Sequence, residues 1–426
     1  MNQTANNQEQ RPIFTQEMRK EYTILIPTML PTHFTFLCSI LNQHGYHVEQ
    51  LRNESRDVID EGLRNVHNDT CYPALLVIGQ MIDALKSGKY DPHKVALLIT
   101  QTGGGCRASN YIHLLRKALK KSGYGYVPVI SFSIGGLEKN PGFQIGLGLL
   151  DQLLYAVLLG DLLMLLANQC RPYEVEPGST DKLVSQWIDR LVAFLSGQKV
   201  VHYRAVKKYY REIVQSFAAL PRHGEKKPRV GIVGEIYVKY SPLGNNHLED
   251  FLASEGAEVV VPGLLDFCLY CVYNNVHDRD LYGGSWLRQT VTKLVYKFLL
   301  KKQRDMLDVV RAQEGFFTLS NFDHTATLAK GYINNGAKMG EGWLLTAEMV
   351  ELVENGVNNI VCTQPFGCLP NHIVGKGMMR AIKEKNPQAN IVAVDYDPGA
   401  SEINQQNRIK LMLANAQLEK RRGCEN

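Results

Sequence analysis

The chain predicts an α/β protein made of two parallel-sheet units with a helical region between them. Three observations carry that reading. Short apolar runs rich in Val and Ile alternate with helix-length segments in both halves, the signature of parallel sheets. From about 143 to 220 the pattern is helical throughout, with no convincing strand. At 426 residues the chain exceeds one small core, and its 45% hydrophobic, 21% charged composition is that of a globular protein.

The elements follow in order. Residues 1–21 read as a loose polar tail, and 22–142 as the first α/β domain. Its strands are 22–27, 47–51, 95–100 and 126–131, with helices over 33–44, 73–85 and 109–121. Pro73 suits the first turn of its helix. The very apolar stretch 142–167 carries Asp151 and Asp161 mid-run and glycines at 146, 148 and 160. It therefore reads as a core helical hairpin rather than a membrane span. The domain map places helices and a basic, Pro-containing linker in 143–225 and the second α/β domain in 226–415. Strands there are expected at 229–234, 258–262, 359–362 and 389–395, with an amphipathic helical segment over 281–313 and a charged tail over 416–426.

A net charge of +5 over this length does not point to nucleic acid. The nine cysteines lack the compact spacing of a secreted disulfide scaffold, and the first twenty-one residues do not read as a secretory signal. A reducing, cytoplasmic setting is the expectation.

Three cysteines lie at Gly- or Pro-marked turns. Cys71 sits in Asn-Asp-Thr-Cys-Tyr-Pro (68–73), Cys106 in Gln-Thr-Gly-Gly-Gly-Cys-Arg (101–107), and Cys368 in Gln-Pro-Phe-Gly-Cys-Leu-Pro-Asn-His (364–372). Each turn closes one element and opens a helical stretch. Three thiolates brought by three loops to one point would grip an iron–sulfur cluster and leave a coordination position open. Ordinary buried thiols are the competing reading. Cys362, six residues before Cys368, is a fourth ligand or a supporting neighbour.

Other motifs are weaker. Gly-Ile-Val-Gly-Glu (231–235) lacks dinucleotide-binding spacing, and no Gly-Lys-Ser/Thr phosphate loop occurs, so any ATP hydrolysis belongs to another protein. Cys268 and Cys271 form a C-x-x-C that reads as a buried helix face. Cys38 and Cys424 look incidental. Gly-Glu-Gly-Trp (340–343), either a cofactor-pocket turn around Glu341 or a packing turn, opens a helix on which Glu348 reads as a surface residue. Asp395 and Asp397 close the last strand, either as a plain turn or at a functional edge.

Together with Arg-Pro-Tyr-Glu (171–174), Val-Gly-Ile-Val-Gly-Glu (230–235) and Asp-Tyr-Asp-Pro-Gly-Ala-Ser-Glu (395–402), the three cysteine motifs resemble the C-terminal part of acyl-CoA dehydratase activase-related proteins. That part is similar to 2-hydroxyacyl-CoA dehydratase and benzoyl-CoA reductase subunits and to double-cubane cluster proteins. The resemblance runs over roughly 22–415. It implies two flavodoxin-like domains and an oxygen-sensitive cluster held by Cys71, Cys106 and Cys368, of the [4Fe-4S] type or, alternatively, an [8Fe-9S] double cubane. It implies electrons delivered by a separate ATP-hydrolysing activator acting in trans, since this chain lacks the activator domains of the large proteins. The expected activity is one-electron reduction or dehydration of a CoA thioester or other small substrate. A non-catalytic electron-transfer or scaffold protein is the alternative. An oligomer of like or unlike chains is expected, with neither nucleic acid nor membrane as a partner. The cluster is expected in the cleft between residues 22–225 and 226–415.

Overall fold

The computed structural model describes residues 11–424 apart from 68, 102–104, 133–137, 139, 197 and 199, with backbone alone from 417 onward. The first ten residues of the expected tail, Gly103 and Gly104 of the glycine turn, and the Cys424 side chain lie outside the described residues.

The strands form two four-stranded sheets, each entirely parallel. The first contains β1 (Thr23–Ile26), β2 (Val48–Gln50), β3 (Val95–Thr100) and β4 (Val129–Phe132), in the order β2-β1-β3-β4. The second contains β5 (Arg229–Gly234), β6 (Glu258–Val260), β7 (Asn359–Pro365) and β8 (Asn390–Tyr396), in the order β6-β5-β7-β8. Both follow the doubly wound flavodoxin-like order, so the fold class read from the sequence is the one observed. The unbroken apolar runs arise because helices cover both faces of such sheets: five of the six β3 residues and six of the seven β7 residues are buried.

The chain divides into two compact units. The first comprises the chain up to Thr28, Leu41–Thr70 and Ala74–Gly146; the second comprises Met29–Ile40, Cys71–Pro73 and everything from Leu147. The first is centred on Leu25, Leu97, Ile130 and Leu115, all fully buried. The second joins its sheet to a bundle of the helices Leu147–Cys170, Ser179–Ser196, Tyr203–Ala218, Leu264–Tyr282 and Trp286–Arg311.

Two features of the second unit differ from expectation. Leu147–Cys170 is one continuous 24-residue helix, not a hairpin. Gly160 marks a close approach rather than a turn: a Cβ there would come within 2.5 Å of the His33 ring. By length and composition this helix could cross a membrane, yet most of its apolar stretch is buried inside the protein. The 281–313 segment, expected to be helical and amphipathic, is interrupted at Gly283–Gly284 before the helix Trp286–Arg311 and carries large apolar residues on its exposed face. The basic stretch 221–228 lies inside the second unit. Arg222 bridges Glu174 in antiparallel fashion, and His223 N–H donates to Tyr173 O at 2.8 Å.

Candidate functional site

In a doubly wound sheet the crossover direction reverses at one point, and ligands bind in the crevice beyond the strand ends there. In the second sheet that point lies between β5 and β7. β5 ends on Gly234 and leads into Glu235; β7 ends on Pro365 and leads into Cys368. Gly234 has φ +147°, and a Cβ on it would sit 2.1 Å from Thr363 Oγ1, so only glycine lets the two strand ends close together. Gly367, at φ +72°, turns the chain into Cys368.

The segment after Cys368 is a π-helical turn, Asn371–Gly375, a widened geometry that recurs at functional sites. Side-chain hydrogen bonds hold the turn in place. Asn371 Nδ2 donates to Thr363 O at 2.7 Å, and Thr346 Oγ1 donates to Val374 O at 2.7 Å. Gly375 is required because a Cβ would lie 2.2 Å from Asn371 Oδ1. The sequence suggests an ordinary helix over 372–384; the structure instead has this turn, a short 3₁₀ segment and a helix from Met379.

Two of the expected site residues come together. Cys71 is buried and belongs, with Tyr72 and Pro73, to the second unit. Tyr72 N–H donates to Phe366 O at 2.9 Å, tying that segment to the turn that carries Cys368. Cys368 is buried, and burial pushes its thiol far above the ordinary range. The Glu341 and Glu235 carboxyls and the Cys71 thiol push it further, against a backbone N–H of Asn371. Cys106 lies in the first unit, partly buried, capping the short turn Arg107–Asn110; its carbonyl accepts from Ser109 Oγ at 2.7 Å. Cys362 is fully buried on β7, with its thiol pushed up to about 12 by burial and directed at Asn371 Oδ1, 3.7 Å away. It braces the turn. Among the described residues, no group of three or more His, Cys, Asp or Glu side chains is arranged to hold a metal ion.

No protein-family model matches this chain, and no curated protein is significantly similar to it.

The carboxyls that act on Cys368 belong to a buried polar system that the sequence shows only in part, at the Glu341 turn. Glu235 caps the helix Ile236–Tyr240, accepting from Val238 N–H at 2.9 Å, and Ile236 N–H donates to Glu341 at 2.9 Å. Burial raises both carboxyls, with Glu341 adding to the shift of Glu235 and Glu348 to that of Glu341, so the pair favours holding a proton. Lys239 donates to both oxygens of Glu348, at 2.9 and 3.0 Å. Glu348 is thus a buried partner rather than the surface residue expected, because the helix Trp343–Glu354 is enclosed on nearly every side. Asp161, on the Leu147–Cys170 helix, accepts from the backbone N–H groups of Leu264 and Leu265 at 2.8 Å each and pairs with His33 Nε2 at 2.8 Å. The second ring nitrogen of His33 and Gln364 Oε1, both buried, have no partner among the described residues.

The weaker motifs resolve as follows. Cys271 is exposed and Cys268 partly so; the expected buried face is instead made by Leu265, Leu269 and Tyr270. Asp395 pairs with Lys376 at 2.9 Å, and Asp397 accepts from Gly399 N–H at 2.7 Å as a turn residue. The arrangement offers two soft sulfur donors, a proton-holding carboxyl pair and an unpaired amide oxygen at one sheet edge. The cysteines and the Gly-Glu-Gly turn of Glu341 stand out in the sequence because glycine or proline marks their turns, whereas Glu235 and Gln364 look like any others.

Proposed function

We propose that the chain is an iron–sulfur protein of the 2-hydroxyacyl-CoA dehydratase type. In this reading Cys71, Cys106 and Cys368 hold a [4Fe-4S] cluster that a separate ATP-hydrolysing activator reduces. One observation carries the reading: Cys71 and Cys368, far apart in sequence, meet at the switch point of a flavodoxin-like sheet. The donor chemistry fits. A thiol raised by burial stays protonated in the metal-free chain and becomes a thiolate ligand only when a cation supplies the opposing charge. The backbone N–H of Asn371 beside Cys368 is the kind of donor that tunes cluster sulfurs. When bound, the cluster supplies a low-potential electron. The chain's own residues would shield that electron from water, and the Glu235–Glu341 pair would hold a proton at the same edge for a reduced or dehydrated thioester. Cys106 completes the ligand set as the motif resemblance implies, and Cys362 supports the turn.

The test is iron and acid-labile sulfide in protein purified without oxygen. The wild type is expected to carry both, and Cys71→Ser, Cys106→Ser and Cys368→Ser each to lose most of the iron, whereas Cys362→Ser retains it. Full iron in all three ligand variants, or none in the reconstituted wild type, overturns the assignment. With a reducing activator and ATP, reoxidation that depends on a CoA thioester marks an enzyme. A reducible cluster indifferent to substrate marks the electron-transfer alternative.

A further inference from the structure

The helix Trp286–Arg311 has two apolar faces, and among the described residues one of them is packed and the other exposed. Its inner face is set by Gln289, which is buried and donates to Val276 O and Asp280 at 3.0 Å each, and by Tyr296, packed edge-on to Tyr273 with centroids 5.8 Å apart. At about 100° per residue, Leu287, Val291, Leu294 and Phe298 fall on the opposite side, with Val295 beside them. All five are exposed; Leu287 is 57% and Leu294 64% accessible. Leu281, Tyr282 and Trp286, at the bend joining this helix to Leu264–Tyr282, are exposed as well. A monomeric protein rarely leaves so concentrated an apolar surface in water.

The spacing says what covers it. Leu287, Val291, Leu294 and Phe298 are separated by four, three and four residues, the alternation of a coiled-coil seam. The charges on the flanks and the body of the protein select the orientation. From Leu299 onward the helix is largely buried, so parallel pairing would force two bodies to the same end. Antiparallel pairing sets Leu287 against the partner's Phe298 and Val291 against the partner's Leu294. It also sets Arg288 near the partner's Val295 and Lys297 near the partner's Thr290, so no cation faces another across the seam. We propose that this face is an isologous interface on which a second copy of the chain docks, the two Trp286–Arg311 helices pairing antiparallel about a twofold axis.

The experiment uses the full chain in solution. Light scattering after size exclusion at micromolar concentration is expected to give twice the 47.9 kDa chain mass. Val291→Glu with Leu294→Glu is expected to weaken association by ~tenfold or more. Its circular dichroism should not change, because both side chains are exposed. Orientation is read by cross-linking: a mixture of Val291→Cys and Leu294→Cys proteins should join through those two positions, mapped by mass spectrometry, more readily than either protein joins itself. Self-joining of each single variant would mean parallel pairing and overturn the arrangement. A monomeric wild type, or a dimer indifferent to the paired glutamates, would sink the interface altogether. So would a monomer that sediments with anionic phosphatidylglycerol vesicles through this face, which would assign it to a lipid surface.

Discussion

Asp266 sits on the first turn of the Leu264–Tyr282 helix, where a carboxylate is normally at ease. Here burial raises its carboxyl from 3.8 to about 7, with Asp161 and Glu348 adding to the shift and Lys239 and a hydrogen bond from Gln303 opposing it. Between those two values the folded chain keeps a proton that the unfolded chain has lost. Stability therefore falls as pH rises through that window, and the loss is complete above it. Asp266→Asn should flatten this part of the profile, with the melting temperature dropping less between pH about 4 and about 8 than in the wild type. Identical slopes in the two proteins would show that Asp266 does not carry the dependence. None of this was legible residue by residue. Asp266, Glu235 and Glu348 become unusual because the fold buries them and brings Asp161, Glu341 and Lys239 beside them from distant parts of the chain. The turn cysteines needed no such partner to be noticed, since Gly367 and Pro73 mark their loops locally.

Two helices of the second unit are joined by a buried ion pair. Lys239 lies on Ile236–Tyr240 and Glu348 on Trp343–Glu354, and both side chains are almost wholly removed from water. Lys239→Met would leave a carboxylate buried without its partner, at a cost of about 3–5 kcal/mol. Lys239→Met with Glu348→Leu should recover most of that loss, because two apolar groups of similar size need no solvation. Urea unfolding of the wild type, both single variants and the double variant measures the coupling. A double variant as unstable as the worse single one would mean the pair is not the tie. Elements as such were the most legible level. β3 and β5 were read to their terminal residues, since an unbroken apolar run bounded by polar residues leaves little choice. The mid-run aspartates and glycines of 142–167 suggest a hairpin; only the position of His33 reveals that Gly160 makes room for a ring.

At the scale of the molecule the two sheets share one strand order although no short repeat links their sequences, a parallel-sheet logic visible in the alternation of elements before any contact is known. What the alternation cannot show is where each segment finally belongs. Met29–Ile40 and Cys71–Pro73 are made early yet belong to a unit whose remainder begins at Leu147. During synthesis these pieces must therefore wait. His33 leaves the ribosome long before Asp161, and Tyr72 long before Phe366, so the second unit cannot be completed while its later strands are still being translated. The fragment 147–426 made alone should consequently lack a cooperative thermal transition, whereas the whole chain shows one; a sharp melt of that fragment by calorimetry would prove the early segments dispensable. The interleaved segments make chain order itself a constraint: a cut between residues 146 and 147 would strand Met29–Ile40 and Cys71–Pro73 on the piece that does not hold the rest of their unit.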